Sequence, residues 1–233
     1  MKRDIAVLGA GSWGTALAIS LAGSGHDVRL WTRRPEAAAF MRAARHNPTY
    51  LPGAHIPDTV AVTSGMEEAA AGARMWVFAT PSQAVREAAH RVAGLASEDL
   101  LVVSVAKGIE NGTLHTTTQV LHEVLGHAVP KAHVGVLYGP SHAEEVGGGF
   151  PTTVVAAAYS SDAAHAIQDT FMTNRLRVYR NDDVIGFAPD EGDRQGRVSK
   201  LFAFEGLQRV EVPTAGAGEI VSLAGLEGVE IGA

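Results

Sequence analysis

Two kinds of stretch alternate along the first 180 residues. Short apolar runs have the length of buried strands, and the segments between them carry apolar residues three and four positions apart. The predicted strands are Ile5 to Leu8, Asp27 to Thr32, Thr59 to Thr63, Ala73 to Ala79, Leu100 to Val105, His133 to Leu137, Thr152 to Ala157 and Arg175 to Arg180. Helices are predicted at 12–22, 36–44, 82–93, 113–125, from 143 and at 162–172. This alternation is typical of an α/β, doubly wound parallel sheet.

The pattern changes near residue 187. Residues 194–231 read as short alternating strands separated by Gly and Pro, without a helical period. We therefore predict two parts, an α/β domain over 1–186 and a short all-β extension over 187–233. Half a barrel cannot enclose its own core, so the extension either packs on the first domain, stays loosely ordered or pairs its exposed edges with another chain. We expect the last outcome, a homo-oligomer.

The turn after the first strand carries the spacing Gly9-x-Gly11-x-x-Gly14. In a strand–turn–helix unit, the first glycine makes the turn, the second lets a pyrophosphate approach and the third allows close packing of helix and strand. The helix then directs free N–H groups at the phosphates. We predict a Rossmann-like dinucleotide site here, although a purely structural turn is the alternative.

Two further positions indicate ligand contacts. Arg33 and Arg34 follow the second strand, where an NAD-preferring fold usually has an acidic residue against the ribose. The pair favours NADP over NAD because guanidinium groups bind phosphate, unless both are ordinary solvated cations. Lys107 lies just beyond the predicted strand Leu100 to Val105, at the sheet edge where ligands bind. The Pro-rich loop 45–58 covers the cofactor or is a surface excursion.

Composition excludes several classes of function. The chain of 233 residues has no cysteine and a net charge of −6, which argues against a nucleic-acid partner and thiolate chemistry. No apolar run approaches the roughly 20 residues that span a bilayer, and Met1 leads directly into the first strand, so we expect a cytoplasmic protein without membrane attachment. The ten histidines lack the spacing of a metal site, so no metal is predicted.

Several motifs occur in a fixed order: GAGSWGTALA at 9–18, the Arg33–Arg34 pair, VAKGIE at 105–110, GPSHAEEV at 139–146 and NDDVIG at 181–186. Over about 3–186 the chain resembles the bacterial NAD(P)-dependent glycerol-3-phosphate dehydrogenases. The resemblance implies that the dinucleotide touches the glycine turn with Ser12 and Trp13, Arg33, Arg34 and Tyr50. It also implies that Lys107, Gly139 and Ser141 face glycerol 3-phosphate or dihydroxyacetone phosphate, with Lys107 also at the cofactor and Ala143 near the nicotinamide.

After Gly186 the sequence departs from this family. There, the family has a helix with the catalytic lysine and then a helical substrate domain, whereas this chain continues with Phe187 and has no such lysine. No catalytic residue is therefore assigned. Residues 192–232 instead resemble part of the β-barrel domain of ribosome-associated translational GTPases of the TypA/BipA kind. The chain thus looks like a join between two unrelated genes, whether by design, by sequence assembly or by a frameshift.

Three functions remain open at this point. The chain is a glycerol-3-phosphate dehydrogenase that supplies phospholipid precursors, a dinucleotide-binding domain without catalysis, or an interaction protein governed by its β extension. We expect the family assignment to hold and the turnover of this chain to be negligible.

Overall fold

The computed structural model describes residues 2–139, 141–181 and 184, and the backbone of three later strands at 200–205, 208–211 and 221–224. In the first part the strands are β1 Asp4–Leu8, β2 Asp27–Trp31, β3 His46–Asn47, β4 Leu51–His55, β5 Val60–Thr63, β6 Met75–Phe78, β7 Leu101–Ser104, β8 Val134–Tyr138, β9 Thr152–Ala158 and β10 Leu176–Arg180. The helices are α1 Ser12–Gly23, α2 Pro35–Ala44, α3 Met66–Ala70, α4 Val85–Val92, α5 Thr117–Leu125, α6 Ala143–Gly147 and α7 Ser161–Phe171.

Eight strands form one sheet in the order β10-β9-β8-β7-β6-β1-β2-β5. The chain builds outward from β1 to β2 and β5 on one side, and then from β6 to β8 on the other. The predicted α/β class and doubly wound sheet are confirmed. The sheet is not wholly parallel as predicted, because β9 runs antiparallel to β8 while β10 is parallel to β9. Because β9 is antiparallel to β8, the connection between these two strands does not need to cross a face of the sheet as a helix.

Helices cover both faces of this sheet, because successive side chains of a strand point to opposite faces. Ile5 and Val7 of β1 belong to one buried cluster, which also contains apolar residues of α1, α2 and α7. Ala6 and Leu8 belong to a second cluster, formed with α3, α4 and α5. All four β1 residues are completely buried, as expected for the central strand of a three-layer α/β domain.

The predicted elements agree with the observed ones to within a few residues, with three informative differences. Helix α5 begins at Thr117 rather than near 113, because Thr116 and Gln119 form a capping box that fixes its start. Helix α3 was not predicted. The predicted loop at 45–58 contains the β3–β4 hairpin, which is antiparallel. An ion pair joins the two ends of this segment, with the Arg45 Nε 2.9 Å from the Asp58 Oδ1.

Three antiparallel strands are described in the C-terminal extension: β11 Lys200–Glu205, β12 Gln208–Glu211 and β13 Val221–Ala224. They form a sheet in the order β12-β11-β13. These strands agree with the predicted β character of the extension. The parts of the predicted β region at 194–199 and 225–231 lie outside the described residues, and self-association through the edges stays a prediction. No described helix has the length and apolar character needed to cross a membrane.

Candidate cofactor-binding site

The turn between β1 and α1 is built on two glycines that leave no room for a side chain. Gly9 has a φ of +132°, and a Cβ placed there would lie 2.6 Å from the carbonyl carbon of Ala79. A Cβ on Gly14 would lie 1.9 Å from the Gly9 carbonyl oxygen. Since α1 approaches β1 this closely, its N-terminus lies between the ends of β1 and β6. These strands flank the point where the sheet order reverses, which is where open α/β sheets bind ligands.

The N-terminus of α1 is open. Gly11 is its N-cap residue, no side chain caps the first turn, and a Cβ on Gly11 would meet nothing within 4 Å. Ser12 and Trp13 form the first turn and are half-buried, Trp13 packing against the core. The N–H groups of a first helical turn have no partner within the helix and carry positive partial charge. The geometry suits an anion that approaches the backbone at Gly11.

A cleft of about 500 Å³ opens directly above this turn. Its lining combines the glycine turn, the end of β2, one side of α2, the hairpin that follows and the end of β6. The lining residues are Gly9, Ala10, Gly11, Trp31, Thr32, Arg33, Arg34, Glu36, Ala37, Phe40, Met41, Asn47, Pro48, Thr49, Tyr50, Ala79, Thr80, Pro81 and Ala84. Five of the predicted cofactor residues therefore lie on one concave surface: Gly9, Gly11, Arg33, Arg34 and Tyr50. Ser12, Trp13 and Gly14 lie behind it in α1.

Arg33 and Arg34 are exposed at the mouth of this cleft. Arg34 is the N-cap residue of α2, and Pro35 occupies the first helical position as predicted. Neither guanidinium makes a hydrogen bond or ion pair with another described residue. Four other arginines of the described residues, in contrast, pair with carboxylates: Arg45, Arg74, Arg86 and Arg91. The two cations are thus free to bind a phosphate.

The wall opposite the glycine turn is held by Asn47, which the sequence analysis did not single out. Its buried amide donates to the Ala10 carbonyl and the Thr15 hydroxyl, each at 2.9 Å, and its oxygen accepts from the Tyr50 N–H at 3.2 Å. The hairpin also packs on α6, where a Cβ on Gly147 would lie 2.9 Å from Leu51. Of the two alternatives for 45–58, a loop over the cofactor or a surface excursion, the structure favours the first, because this segment forms one wall of the cleft and includes the half-exposed Tyr50.

Thr80 was also missed. It follows β6, lines the cleft and is buried, yet its hydroxyl has no hydrogen-bond partner. A buried hydroxyl without a partner costs free energy, so its position beside the switch point suits a ligand-binding surface. Together with the open space at Gly11 and the two free guanidinium groups, this feature fits a dinucleotide phosphate chain.

Lys107 is exposed beyond the carboxyl end of β7 and does not line the cleft. β7 is two strands from β1, which corresponds to about 10 Å at usual strand spacing. The segment after Lys107 is fixed by Glu110, which accepts two hydrogen bonds from Arg86 at 2.8 and 2.9 Å. Arg86, with a smaller effect of the Thr113 hydroxyl, lowers the pKa of Glu110 to about 2. The ion pair therefore persists at neutral pH.

The other predicted substrate residues follow β8, the next strand along. Gly139 has a φ of +154°, and its carbonyl accepts a hydrogen bond from the Ser141 N–H at 2.9 Å. Ala143 is buried at the start of α6, and α6 packs on α1. These residues share the carboxyl edge of the sheet with Lys107 but lie outside the cleft. Their roles stay predictions.

Among the described residues, no group of three or more acidic or histidine side chains could hold a metal ion.

Comparisons with known proteins agree with this geometry. The family model described as NAD-dependent glycerol-3-phosphate dehydrogenase N-terminus matches residues 4–164. The chain is 54% identical over 186 residues to glycerol-3-phosphate dehydrogenase NAD(P)+ 2 of Salinibacter ruber, covering 80% of this chain and 54% of the relative. It is 50% identical over 182 residues to the Chlorobium phaeobacteroides glycerol-3-phosphate dehydrogenase NAD(P)+, covering 78% and 54%.

Among solved structures, the glycerol-3-phosphate dehydrogenase of Coxiella burnetii superposes with a TM-score of 0.73 at 35% identity. That similarity covers 79% of this chain and 55% of the other. The chain therefore spans about half the length of the relatives it matches.

The glycine geometry gives a stability test. Gly14→Ala forces a methyl group against the Gly9 carbonyl, and we expect it to lower the free energy of unfolding by about 3 kcal/mol or more. Gly11→Ala enters open space at an N-cap with a negative φ, and we expect a loss of about 1 kcal/mol at most. Denaturant unfolding of both variants measures the difference. Equal losses would show that the close contact at Gly14 is not what fixes α1.

Proposed function

Because the family model covers 4–164, this chain belongs to the family of NAD-dependent glycerol-3-phosphate dehydrogenase N-terminal domains, and we propose that it binds NADP or NAD in the cleft above the glycine turn. The predicted family is confirmed for the N-terminal part of the chain. The observation that carries the proposal is the open N-terminus of α1, which meets two unpaired arginines in one cleft. It supports a pyrophosphate at Gly11 and an adenosine phosphate at Arg33 and Arg34.

The proposed reaction of the whole enzyme interconverts dihydroxyacetone phosphate and glycerol 3-phosphate. A nicotinamide bound in the cleft would supply or accept the hydride. In the reducing direction the carbonyl carbon gains this hydride and the carbonyl oxygen gains a proton, so the site also needs an acid and a cation for the substrate phosphate. In our proposal Lys107 supplies the cation, Gly139 and Ser141 contact the substrate, and Ala143 lies near the nicotinamide. The exposure of Lys107 at the sheet edge supports its role.

We also propose an origin for the C-terminal extension. We divide the chain into 1–186 and 187–233, and relate the second part to the β-barrel domain of TypA/BipA-type translational GTPases. The support is the sequence of 192–232 and the antiparallel order of β11 to β13. Its strand edges are the proposed surface for self-association.

The partners and the location of the protein are proposals too. The net charge of −6 disfavours nucleic acid as a partner. A small phosphorylated substrate fits a cytoplasmic setting.

A second candidate function is cofactor binding without turnover. The residues that follow Gly186, from Phe187 to Asp193, contain no lysine, whereas the resemblance assigns proton transfer to a lysine there. The third candidate is an interaction protein governed by the extension. The unpaired arginines in the cleft have no part in that function, so the third candidate is less well supported than the first two.

Cofactor discrimination tests the binding proposal. Replacing Arg33 and Arg34 together by serine is expected to weaken NADPH by roughly 1–3 kcal/mol more than NADH, because only NADPH has a 2′-phosphate for charge-assisted hydrogen bonds. Gly11→Ala is the control, because its methyl group obstructs the pyrophosphate that both cofactors share. Titration calorimetry measures both affinities. Equal losses in the double variant would refute a role of the arginines in reading the 2′-phosphate.

Activity measurements test the catalytic part. We expect the 233-residue chain to bind NADPH but to oxidise it negligibly with dihydroxyacetone phosphate. Missing acid–base help alone costs about 10²–10⁴ in rate. The assay follows NADPH absorbance at saturating substrate, with a full-length member of the family alongside. A turnover near that of the full-length enzyme, abolished by Lys107→Ala, would overturn this expectation and show that the chain is active without a lysine after Gly186.

A further inference from the structure

The cofactor cleft contains a free carboxylate besides its two free cations. Glu36 lies in the first turn of α2, is exposed and lines the cleft together with Arg33 and Arg34. Within the part of the chain that the structure describes, its side chain makes no hydrogen bond or ion pair. Opposite charges thus stand two and three residues apart in one cleft without pairing.

Some exposed charged groups on the described surface do form ion pairs. Arg74 and Asp99 are 3.2 Å apart, and Arg91 and Glu67 are 3.1 Å apart. Both pairs are formed between different elements at exposed positions, where pairing contributes little energy. Pairing is therefore geometrically easy on this surface. In the cleft, Glu36 pairs with neither Arg33 nor Arg34, so all three charged groups are available to a ligand.

A carboxylate next to the ribose of a dinucleotide has two opposite effects. It accepts hydrogen bonds from the ribose 2′- and 3′-hydroxyls of NAD, which is the usual role of an acidic residue after the second strand. It repels the 2′-phosphate of NADP, which carries negative charge close to the same position. The arginine pair has the reverse preference. Glu36 and the two arginines all follow β2, which is two strands away from β6.

We propose that Glu36 is a specificity-determining residue that favours NAD(H) and offsets the preference of Arg33 and Arg34 for NADP(H). The cleft then accepts both cofactors because opposite charges flank one ribose position. This inference rests on the proposed cofactor binding and adds to it the residue that balances the two cofactors.

Glu36 has an alternative role that concerns the helix alone. An acidic residue in the first turn of a helix interacts favourably with the helix dipole. Such a role changes the stability of α2 and hence affects both cofactors in the same direction. The affinity ratio, rather than either affinity, separates the two roles.

The experiment compares wild type, Glu36→Gln and Glu87→Gln by calorimetric titration with NADH and NADPH. Glu87 is the matched control, because it is an exposed acidic residue in the first turn of α4 and lies outside the cleft. Glu36→Gln keeps the size of the side chain and removes its charge. We expect NADPH to bind more tightly and NADH more weakly, with the ratio of the two dissociation constants shifting roughly tenfold. Glu87→Gln is expected to leave the ratio at the wild-type value.

A second measurement uses fragments that lack the nicotinamide. With 2′,5′-ADP and 5′-AMP as probes, Glu36→Gln is expected to tighten the first relative to the second, because these two compounds differ only in the 2′-phosphate. An unchanged ratio, or equal shifts for both cofactors, would overturn the inference while leaving cofactor binding intact. If wild type binds neither NADH nor NADPH, the proposed function itself fails.

Discussion

The contact between Gly14 and the Gly9 carbonyl is the constraint on which the rest of the domain depends. Because neither glycine has a side chain, α1 lies against β1 closely enough to bring its first turn over the gap between β1 and β6. A side chain at Gly14 would collide with the Gly9 carbonyl and push the helix away from β1. The helix would then no longer present its N–H groups at the point where the sheet order reverses. One backbone contact therefore determines both the packing of the central layer and the location of the phosphate site.

Around this fixed point the structure separates rigid groups from free ones. Asn47 joins the hairpin to the glycine turn and to α1 through one hydrogen bond each, and Arg86 with Glu110 holds the segment that carries Lys107. Such connections limit how far the walls can move. The charged side chains that line the cleft, in contrast, make no hydrogen bond or ion pair with another described residue. A rigid frame with free charges suits a site in which the ligand, rather than the protein, completes the hydrogen bonds.

The sequence predicted the features that depend on local spacing. The glycine turn, α1, Pro35 at the start of α2 and the central strands follow from short patterns, and the observed bounds agree with them. The direction of β9 was not predictable in this way, since a run such as TTVVAAA is equally apolar whether it runs parallel or antiparallel to its neighbour. Asn47 was missed because its partners Ala10 and Thr15 are 37 and 32 residues away. From the sequence alone, Glu36 cannot be distinguished from an ordinary solvated residue, because only the structure shows that it lines the cleft.

The reversal at β9 has a practical consequence at the far end of the sheet. β10 is separated from β1 by five strand steps, or about 24 Å at usual spacing, and Tyr179 and Arg180 are exposed on it. The chain has no cysteine. Arg180→Cys would therefore create a unique thiol on a rigid strand well away from the cleft. A fluorophore or a surface linker attached through this thiol would leave the entrance to the cleft unobstructed.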